Sequence, residues 1–471
     1  MKSLLLLQTY FLTFKIIICL GPFPHVPREH QVKPRVNASK KYTPTNSWFQ
    51  NLLLKNGDSP IQTYPYVVKQ LGSGLSISYS GEVKNQQNLF SEIINNDILM
   101  VKVKENLNKP VQIDESSVNQ DFFELSVKIN YGELFDVILV RGSASVVANY
   151  YSSTPVFSTS KEIQEVTYPN RRTVRLKLND QIWFIQSESS INWRESKNDL
   201  SATSSYTGWI KISIALTEAA ERQFLIYGDL IPLKRGKISY SIDRSTYPGT
   251  VTVNLEYNNE GLFYLLPHVY QSNQSGANII NGAKTKSAKG EYLLASGKSY
   301  QFKVPIFETS NNSKAFDTKE KRDELLKALR DDASKINITS KDPYFGGKEI
   351  ARASNLLEIA HLLNDEQSKL KVKDALIKEL DDYWFGIKDG KPNLMYEPTW
   401  GGIVSNGSVG SAEADFGQYY YNDHHFHYGY FINAAATLAK LYPDYYKSRA
   451  EYFKIILADF AGNLIFFFII S

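Results

Sequence analysis

The residue types best suited to chemistry are concentrated between residues 415 and 430, which read DFGQYYYNDHHFHYGY. Carboxylates and imidazoles transfer protons near neutral pH, and the aromatic rings among them offer flat apolar faces with polar edges. This composition indicates a site for proton transfer, for ligand binding or for both. The aspartates are Asp415 and Asp423, and the histidines, three of the seven in the chain, are His424, His425 and His427.

Three interpretations of this stretch are open from the residues alone. Imidazole is a common metal ligand, so the histidines suggest a metal site, although their spacing is not His-Glu-x-x-His and no cysteine accompanies them. A structural interpretation makes the stretch the start of a helix capped by Asn422 or Asp423, with Asp423 and His427 one turn apart. In the third interpretation it lines a sugar cleft, where Asp423 donates a proton and the rings support pyranose units.

Residues 421–430, which read YNDHHFHYGY, resemble the signature of the glycoside hydrolase family 81 endo-β-1,3-glucanases. Residues 46–52, followed by Pro65 and Tyr66, resemble the opening of the family's N-terminal part. Residues 400–405 resemble a segment that precedes the signature. The resemblance covers about residues 42–463.

This resemblance implies a multidomain β + α fold: an N-terminal antiparallel β-sandwich, a small linking domain and an (α/α)6 barrel. It implies endo-acting, inverting hydrolysis of laminarin-type β-1,3-glucan without a metal or other cofactor. Asp423 matches the family's general acid, and inversion requires a second carboxylate about 6.5–9.5 Å away to activate water. The side chains expected to contact the glucan are those of Trp400, Asp415, Asn422, His427 and Tyr428.

The protonation of His427 bears on this mechanism. A general acid has to keep its proton near the working pH, and a charged imidazole one turn from Asp423 would oppose that. We therefore expect His427 to be neutral and hydrogen-bonded to substrate or to a neighbouring side chain.

The chain also departs from the family pattern. The family's base lies in a Glu-rich segment well beyond the acid, and the sequence up to Ser471 contains no such segment. Fewer helices fit between Lys348 and Ser471 than a closed barrel needs, so we expect a C-terminally truncated, incomplete barrel. Glu397 is considered as a substitute carboxylate, although its position is not that of the base. A catalytically inactive glucan-binding protein is therefore the alternative, followed by a metal-dependent hydrolase that uses His424, His425 and His427.

The elements that would position these residues follow from periodicity. Between about residues 73 and 307 apolar residues alternate with polar ones, as at Leu75, Ile77 and Tyr79, which predicts half-buried antiparallel strands. From about residue 317 the spacing becomes helical. The predicted helices cover residues 319–336, 350–363, 370–384, 431–441 and 445–460. The predicted domains are a β-sandwich over residues 30–265, a linking α/β region over 266–342 and the first part of the barrel over 343–471.

The ends of the chain suggest secretion and truncation. Residues 1–21 resemble a signal peptide, with a basic start and an apolar stretch that Lys15 interrupts, and Cys19, the only cysteine, lies within it. The apolar run at residues 464–470 is too short to span a bilayer and indicates a truncated or misread terminus. Sequons that favour a secreted glycoprotein start at Asn37, Asn273, Asn311, Asn337 and Asn406.

The composition excludes several classes of protein. The chain has 471 residues, 53 basic and 49 acidic groups and a net charge of +4, which gives no electrostatic footprint for nucleic acid. Stable membrane insertion is not predicted, and the oligomeric state cannot be inferred. Aromatic residues make up 13% of the chain, which fits either a β-rich core or a sugar-binding platform. The expected partner is β-1,3-glucan.

Overall fold

A computed structural model describes residues 22–35, 47–54, 59–79, 82–85, 88–91, 98–107, 111–114, 123–179, 181–245, 249–272, 274–287, 290–306 and 318–461. The predicted signal peptide and the apolar run at residues 464–470 lie outside these residues. The chain divides into two compact units. One, called here the β unit, is Trp48–Glu308, and the other, the helical unit, combines Met1–Ser47 with Thr309–Ser471.

The β unit is built from antiparallel strands, in agreement with the alternating pattern of the sequence. Its strands are, in chain order, β1 (Ile61–Gln62), β2 (Tyr66–Leu71), β3 (Gly74–Tyr79), β4 (Glu82–Asn85), β5 (Asn88–Ser91), β6 (Leu99–Val103), β7 (Gln112–Ile113), β8 (Ser126–Tyr131), β9 (Phe135–Val140), β10 (Val146–Ser153), β11 (Pro155–Thr159), β12 (Ile163–Asn170), β13 (Thr173–Leu178), β14 (Gln181–Ser187), β15 (Trp193–Glu195), β16 (Asp199–Ala202), β17 (Tyr206–Ala215), β18 (Gly236–Asp243), β19 (Thr250–Leu265), β20 (Gln274–Ser275), β21 (Asn278–Ser287) and β22 (Gly290–Pro305). Helices α1 (Glu218–Ile226) and α2 (Pro267–Tyr270) interrupt the series.

Among the described residues these strands form three larger sheets and the separate β4–β5 hairpin. One sheet has the order β1-β2-β3-β6-β11-β16-β15, and the second has the order β12-β13-β14-β17-β10-β9-β8-β7. The third runs β18-β19-β22-β20, with β21 also paired to β22. Tyr66 of the first sheet is in contact with the second, because its hydroxyl donates to the Ala144 carbonyl at 2.6 Å and accepts from the Ile214 N–H at 3.1 Å.

The helical unit follows the change of periodicity near residue 317. Its long helices are α3 (Lys319–Ser334), α4 (Phe345–Leu363), α5 (Glu366–Glu379), α6 (His424–Leu441) and α7 (Pro443–Ala461). A π-helical turn, Leu380–Trp384, extends α5, and a short hairpin of β23 (Leu394–Glu397) and β24 (Gly402–Ser405) precedes α6. The predicted order of strands followed by helices is confirmed, although α6 begins seven residues before the predicted residue 431.

One apolar core joins the helices of this unit. It contains Ile350 and Leu357 of α4, Leu376 of α5, Phe431 of α6 and Ile456 of α7, all without exposed surface. Residues 22–35 also belong to this unit, because the Phe23 ring packs edge-on against Tyr452 at 5.2 Å and the Val26 N–H donates to the Tyr396 carbonyl at 3.0 Å. No helix of the described residues is long and apolar enough to cross a membrane.

Candidate active site

Residues 415–423, which lead into α6, form a strained turn. Asp415, Phe416, Gly417, Tyr421 and Asp423 all have positive φ angles, between 49° and 80°. This left-handed backbone costs roughly 1–2 kcal/mol for residues other than glycine, and less for aspartate, whose short side chain tolerates it. Such strain persists only where surrounding contacts hold the backbone in place, and it is concentrated at functional sites.

Buried hydrogen bonds connect this turn to the neighbouring strand and helix. The Tyr421 hydroxyl donates to Glu397 Oε2 at 2.9 Å. The ring of His424 lies between the Gln418 carbonyl oxygen, 2.8 Å from Nε2, and Asp459 Oδ1 on α7, 2.8 Å from Nδ1. The turn is therefore fixed to β23 on one side and to α7 on the other.

Asp423, the predicted acid, is exposed immediately before α6. Its carbonyl accepts the N–H groups of Phe426 and His427 at 3.0 and 2.9 Å, but its side chain caps no N–H group. The capping interpretation is therefore wrong for Asp423, because its φ of 53° replaces the extended backbone of an ordinary N-cap. Asn422 does not cap the helix either, since its amide donates to the Phe416 carbonyl at 2.9 Å.

His427 lies one turn into α6, and its ring is buried. Its Nδ1 is 3.0 Å from Gln418 Oε1, and its ring centroid is 5.5 Å from that of Tyr344. Burial lowers the pKa of His427 below its usual value, and the charge of His424 lowers it further, against the opposing effect of Asp423. These surroundings favour the neutral ring expected from the sequence.

Asp415 is half-buried eight residues before Asp423. The Ser405 hydroxyl donates to its Oδ2 in a short hydrogen bond. Burial raises the pKa of Asp415 above its usual value, the carboxylate of Asp342 raises it further, and the Ser405 hydrogen bond opposes both. Its surroundings thus hold a proton more tightly than water does.

Glu397 is placed where it cannot act as a substitute carboxylate. It has no exposed surface. Its Oε1 accepts the Thr399 N–H at 2.8 Å, and its Oε2 accepts the Trp400 N–H and the Tyr421 hydroxyl, both at 2.9 Å. Its oxygens are thus occupied by the loop it organises, and no water or sugar reaches them in this arrangement.

Trp400 and Tyr428 are buried as well. The Trp400 side chain is 6% exposed and donates from Nε1 to the Val32 carbonyl at 2.8 Å. Tyr428 has no exposed surface, and its hydroxyl donates to the Ile403 carbonyl at 2.7 Å. Neither ring presents a face to a ligand in this structure, so both support the neighbouring backbone.

Close packing also explains the glycine that begins β24. A Cβ atom on Gly402 would lie 2.2 Å from a carbon of the Tyr421 ring and 2.6 Å from Asp459 Oδ2. Only glycine therefore lets β24 approach the turn and α7 this closely.

Four aromatic rings cluster at the turn: two come from the stretch at residues 415–430, and the other two, Tyr344 and Phe345, were not singled out by the sequence patterns. We call Tyr344, Phe345, Phe416 and Phe426 the aromatic shelf. The Tyr344 ring centroid lies 4.8, 5.1 and 5.9 Å from those of Phe345, Phe416 and Phe426. These three phenylalanines are 47, 50 and 49% exposed. A cluster of exposed apolar rings with polar groups around it is a typical ligand-binding surface.

Helical periodicity could have identified one member of this shelf as an exposed aromatic residue. Phe345 precedes Ile350, the first fully buried apolar residue of α4, by five positions. That offset places it off the buried face of the helix, so an apolar residue there is unexpected for packing alone. Its partners Phe416 and Phe426 come from a distant part of the chain, and no sequence pattern connects them to it.

The described residues offer little support for a metal site. They contain no group of three or more His, Cys, Asp or Glu side chains placed to hold a metal ion. Both ring nitrogens of His424 are already hydrogen-bonded to Asp459 and Gln418, and His425 is exposed on another side of the helix start. The three histidines therefore do not converge on a common point.

Comparison with known families accounts for both units. The sequence model of the glycosyl hydrolase family 81 N-terminal domain matches residues 28–312, and that of the C-terminal domain matches residues 317–465. The chain belongs to glycosyl hydrolase family 81. The match runs through the strained turn, the aromatic shelf and the exposed Asp423.

Curated relatives of this family 81 chain are glucanases. A glucan endo-1,3-beta-D-glucosidase of Glycine max is 28% identical over 432 residues, which are 88% of this chain and 63% of the relative. The primary septum glucan endo-1,3-beta-D-glucosidase of Schizosaccharomyces pombe is 27% identical over 353 residues, 69% of this chain and 34% of the relative. The chain thus spans less than two thirds of the length of either relative.

A solved structure shares the fold. A substituted variant of glycoside hydrolase family 81 from Clostridium thermocellum superposes with a TM-score of 0.68 at 18% identity. The superposition covers 93% of this chain and 62% of that chain. The β-sheet-rich first part and the helical second part are therefore those of a family 81 protein.

Proposed function

We propose that the protein cleaves β-1,3-glucan internally with inversion, and that Asp423 is its general acid. The observation that carries this proposal is the exposed Asp423, whose carbonyl accepts the N–H of Phe426 in the aromatic shelf, in a chain of family 81. The names of the Glycine max and Schizosaccharomyces pombe relatives support the same substrate class.

The aromatic shelf is the proposed platform for the sugar rings. The C–H face of a pyranose is apolar, so it packs on rings such as Phe345, Phe416 and Phe426 while its hydroxyls stay at the edge. A glucan chain seated there excludes water from the Asp423 carboxylate, which helps a general acid to keep its proton.

Some of the other predicted site residues contact the sugar in this proposal, and others position the turn. Asn422 directly precedes Asp423, and Asp415 lies at the start of the same turn. In this proposal both hydrogen-bond the sugar hydroxyls. His427 contributes a neutral ring at the base of the shelf. Trp400 and Tyr428, which are buried, position the turn rather than touch the sugar.

The general base is not assigned among the described residues. Inversion requires a carboxylate about 6.5–9.5 Å from the acid to activate water. Glu397 is closed off by its own loop, and burial raises the pKa of Asp415, the opposite of what a general base requires. These observations support a second candidate function, in which these residues bind glucan without cleaving it.

The decisive experiment measures cleavage and binding on the same protein. Release of reducing ends from laminarin, with the anomer of the first product followed by NMR, tests hydrolysis and inversion. Calorimetric titration with laminarin tests binding. Inverted product supports the proposed enzyme, binding without product supports the second candidate, and activity lost to a chelator supports a metal-dependent hydrolase. Full activity of Asp423→Asn would show that the acid is assigned wrongly.

The finer architecture belongs to the same proposal. Helices α4 to α7 are the first part of an (α/α)6 barrel, supported by their shared apolar core. The first two sheets are the two layers of a β-sandwich over residues 61–215, supported by the contacts of Tyr66. This is narrower than the predicted range of 30–265, because residues 22–35 belong to the helical unit and β18 and β19 belong to the third sheet. The third sheet and the chain up to residue 342 form the linking region.

We also propose that the protein is a secreted glycoprotein. Two of its sequon asparagines, Asn337 and Asn406, lie in the described residues, and both are exposed. A glycan at either position would therefore meet solvent rather than the core. A mass decrease after endoglycosidase treatment of protein secreted by a eukaryotic host tests this, and an unchanged mass would contradict it.

A further inference from the structure

His424 and Asp459 form a buried pair beneath the turn that carries Asp423. Neither side chain has exposed surface, and Nδ1 of the ring is 2.8 Å from Asp459 Oδ1. The other carboxylate oxygen, Oδ2, accepts the Ile403 N–H at 2.7 Å. The other ring nitrogen, Nε2, is 2.8 Å from the Gln418 carbonyl oxygen.

The partners of this ring determine how many protons the pair holds. A carbonyl oxygen and a carboxylate are both acceptors, and a neutral imidazole has only one N–H to donate. Two hydrogen bonds at 2.8 Å therefore require a second proton, either on His424 or on Asp459. In water an imidazole holds a proton about 400-fold more tightly than a carboxylate does. The N–H of Ile403 donates to the other oxygen of Asp459, which a carboxylate accepts without a proton of its own.

The tyrosines that flank His424 carry no charge that would replace Asp459 as its partner. The rings of Tyr421 and Tyr428 flank His424 at 4.8 and 5.0 Å. Burial raises the pKa values of both tyrosines well above the usual range, so their hydroxyls stay protonated. The Tyr421 hydroxyl donates to Glu397, which adds a second carboxylate behind it. On α6 itself the titratable neighbours are Asp423, His425 and His427, of which only His427 is buried.

We propose that His424 is an imidazolium held by Asp459, and that this pair positions the turn carrying Asp423. A cation at the first position of a helix opposes the helix dipole, so the arrangement requires the carboxylate supplied by α7. Because Asp459 also binds β24 through Ile403, one ion pair joins α7, β24 and the start of α6. His424 is thus positively charged, whereas His427, one turn further along α6, is neutral.

The protonation state is measured directly by NMR of protein labelled with ¹⁵N and ¹³C in histidine. With seven histidines in the chain, the signals of His424 and His425 are assigned from His424→Gln and His425→Gln. We expect His424 to carry two protonated ring nitrogens at pH 7, whereas His427 carries one. A wild-type spectrum with a single protonated nitrogen on His424 would overturn the proposal, and it requires no variant of Asp459.

Asp459→Asn separates charge from shape. Its amide still accepts from Ile403 and donates to Nδ1, so the hydrogen bonds close around a neutral His424. We expect one protonated nitrogen on His424, and an upward shift of the His427 pKa as the neighbouring charge disappears. Asp444→Asn, on the exposed first turn of α7, is the matched control and leaves both signals unchanged. Unchanged His424 and His427 signals in Asp459→Asn would contradict the proposal.

The catalytic part of this inference rests on the proposed function. In Asp459→Asn we expect kcat for laminarin to fall about tenfold while KM stays within about twofold, because the acid is displaced but the shelf is intact. If the wild-type protein does not cleave laminarin, the proposed function fails while the NMR result still decides the ion pair. If it cleaves laminarin and His424 is neutral, only the ion-pair inference fails.

Discussion

Two sets of aromatic rings, one in each unit, show how differently the same residue types are used. In the β unit, Tyr131, Phe135 and Tyr150 sit opposite one another on β8, β9 and β10, with centroids 4.4 and 5.5 Å apart, nearly parallel planes and no exposed surface. We call these three the aromatic ladder. In the helical unit, the phenylalanines of the aromatic shelf leave about half of their surface exposed.

The difference teaches that aromatic content alone says nothing about use. The rings of the ladder face one another across adjacent strands, which is how sheets are stabilised. The rings of the shelf come from two segments far apart in the chain and meet around a strained turn that also carries Asp423. The comparison predicts that changes in the ladder act on stability, whereas changes at the shelf act on function.

The largest effect is expected at the carboxylate beside the shelf. Asp423→Asn keeps the shape and removes the proton, so hydrolysis of laminarin should fall about 100- to 10,000-fold, the range for a general acid. The melting temperature should not change, since the side chain makes no capping hydrogen bond. Initial rates of reducing-end release check this, with Asp444→Asn as the control. A greater loss in Asp415→Asn than in Asp423→Asn would transfer the acid role to Asp415.

A change in the aromatic ladder is expected to lower stability without affecting glucan binding. Phe135→Ala removes the middle ring of a fully buried stack, and the cavity left behind should cost about 3–5 kcal/mol in the free energy of unfolding of the β unit. Urea unfolding followed by circular dichroism measures this. Glucan affinity of the protein that remains folded should stay unchanged. A lower affinity at unchanged stability would break the comparison.

Sequence patterns predicted the ladder much better than the shelf. Alternation identifies inward residues such as Val127, Ile129 and Tyr131 because one face of a strand packs on the core, and the structure buries all three. The same reasoning located the helices of the second half to within a few residues, except at the start of α6. There the helix begins at His424, where the structural interpretation of the stretch allowed a helix start, and not at residue 431 as the apolar spacing predicted.

The sequence indicated which stretch forms the site, but not how its side chains are arranged in space. Resemblance and residue type pointed to Asp423 and His427, whereas which rings of the stretch are exposed depends on tertiary packing. Trp400 is buried and donates to the Val32 carbonyl, far away in sequence, and the shelf needs Tyr344 and Phe345 from the start of α4. The role of Asp459 was equally hidden, because its partner His424 lies on the preceding helix.

A moderate effect is expected from the shelf itself. Phe416→Ala removes one half-exposed ring and should weaken laminarin binding about five- to tenfold, roughly 1–1.4 kcal/mol for one aromatic contact. Stability should change by less than about 1 kcal/mol. Tyr168→Ala, which removes an equally exposed ring from the β unit, is the matched control and should leave the affinity unchanged. Titration calorimetry compares the two variants, and equal losses of affinity would remove the distinction between the units.

The smallest effect is a pH dependence of stability at the base of the shelf. Burial lowers the pKa of His427, so between that value and about 6.5 the unfolded chain binds more protons at this residue than the folded chain. The contribution of His427 to stability is therefore fully present above about pH 6.5 and is lost as the pH falls toward the lowered pKa. His427→Gln, which still faces Gln418, should flatten the slope of the unfolding free energy against pH in this window. The exposed His425→Gln should leave the slope unchanged. A slope in His427→Gln as steep as that of the wild type would show that His427 titrates alike in both states, and the neutral ring assigned to the shelf would then be wrong.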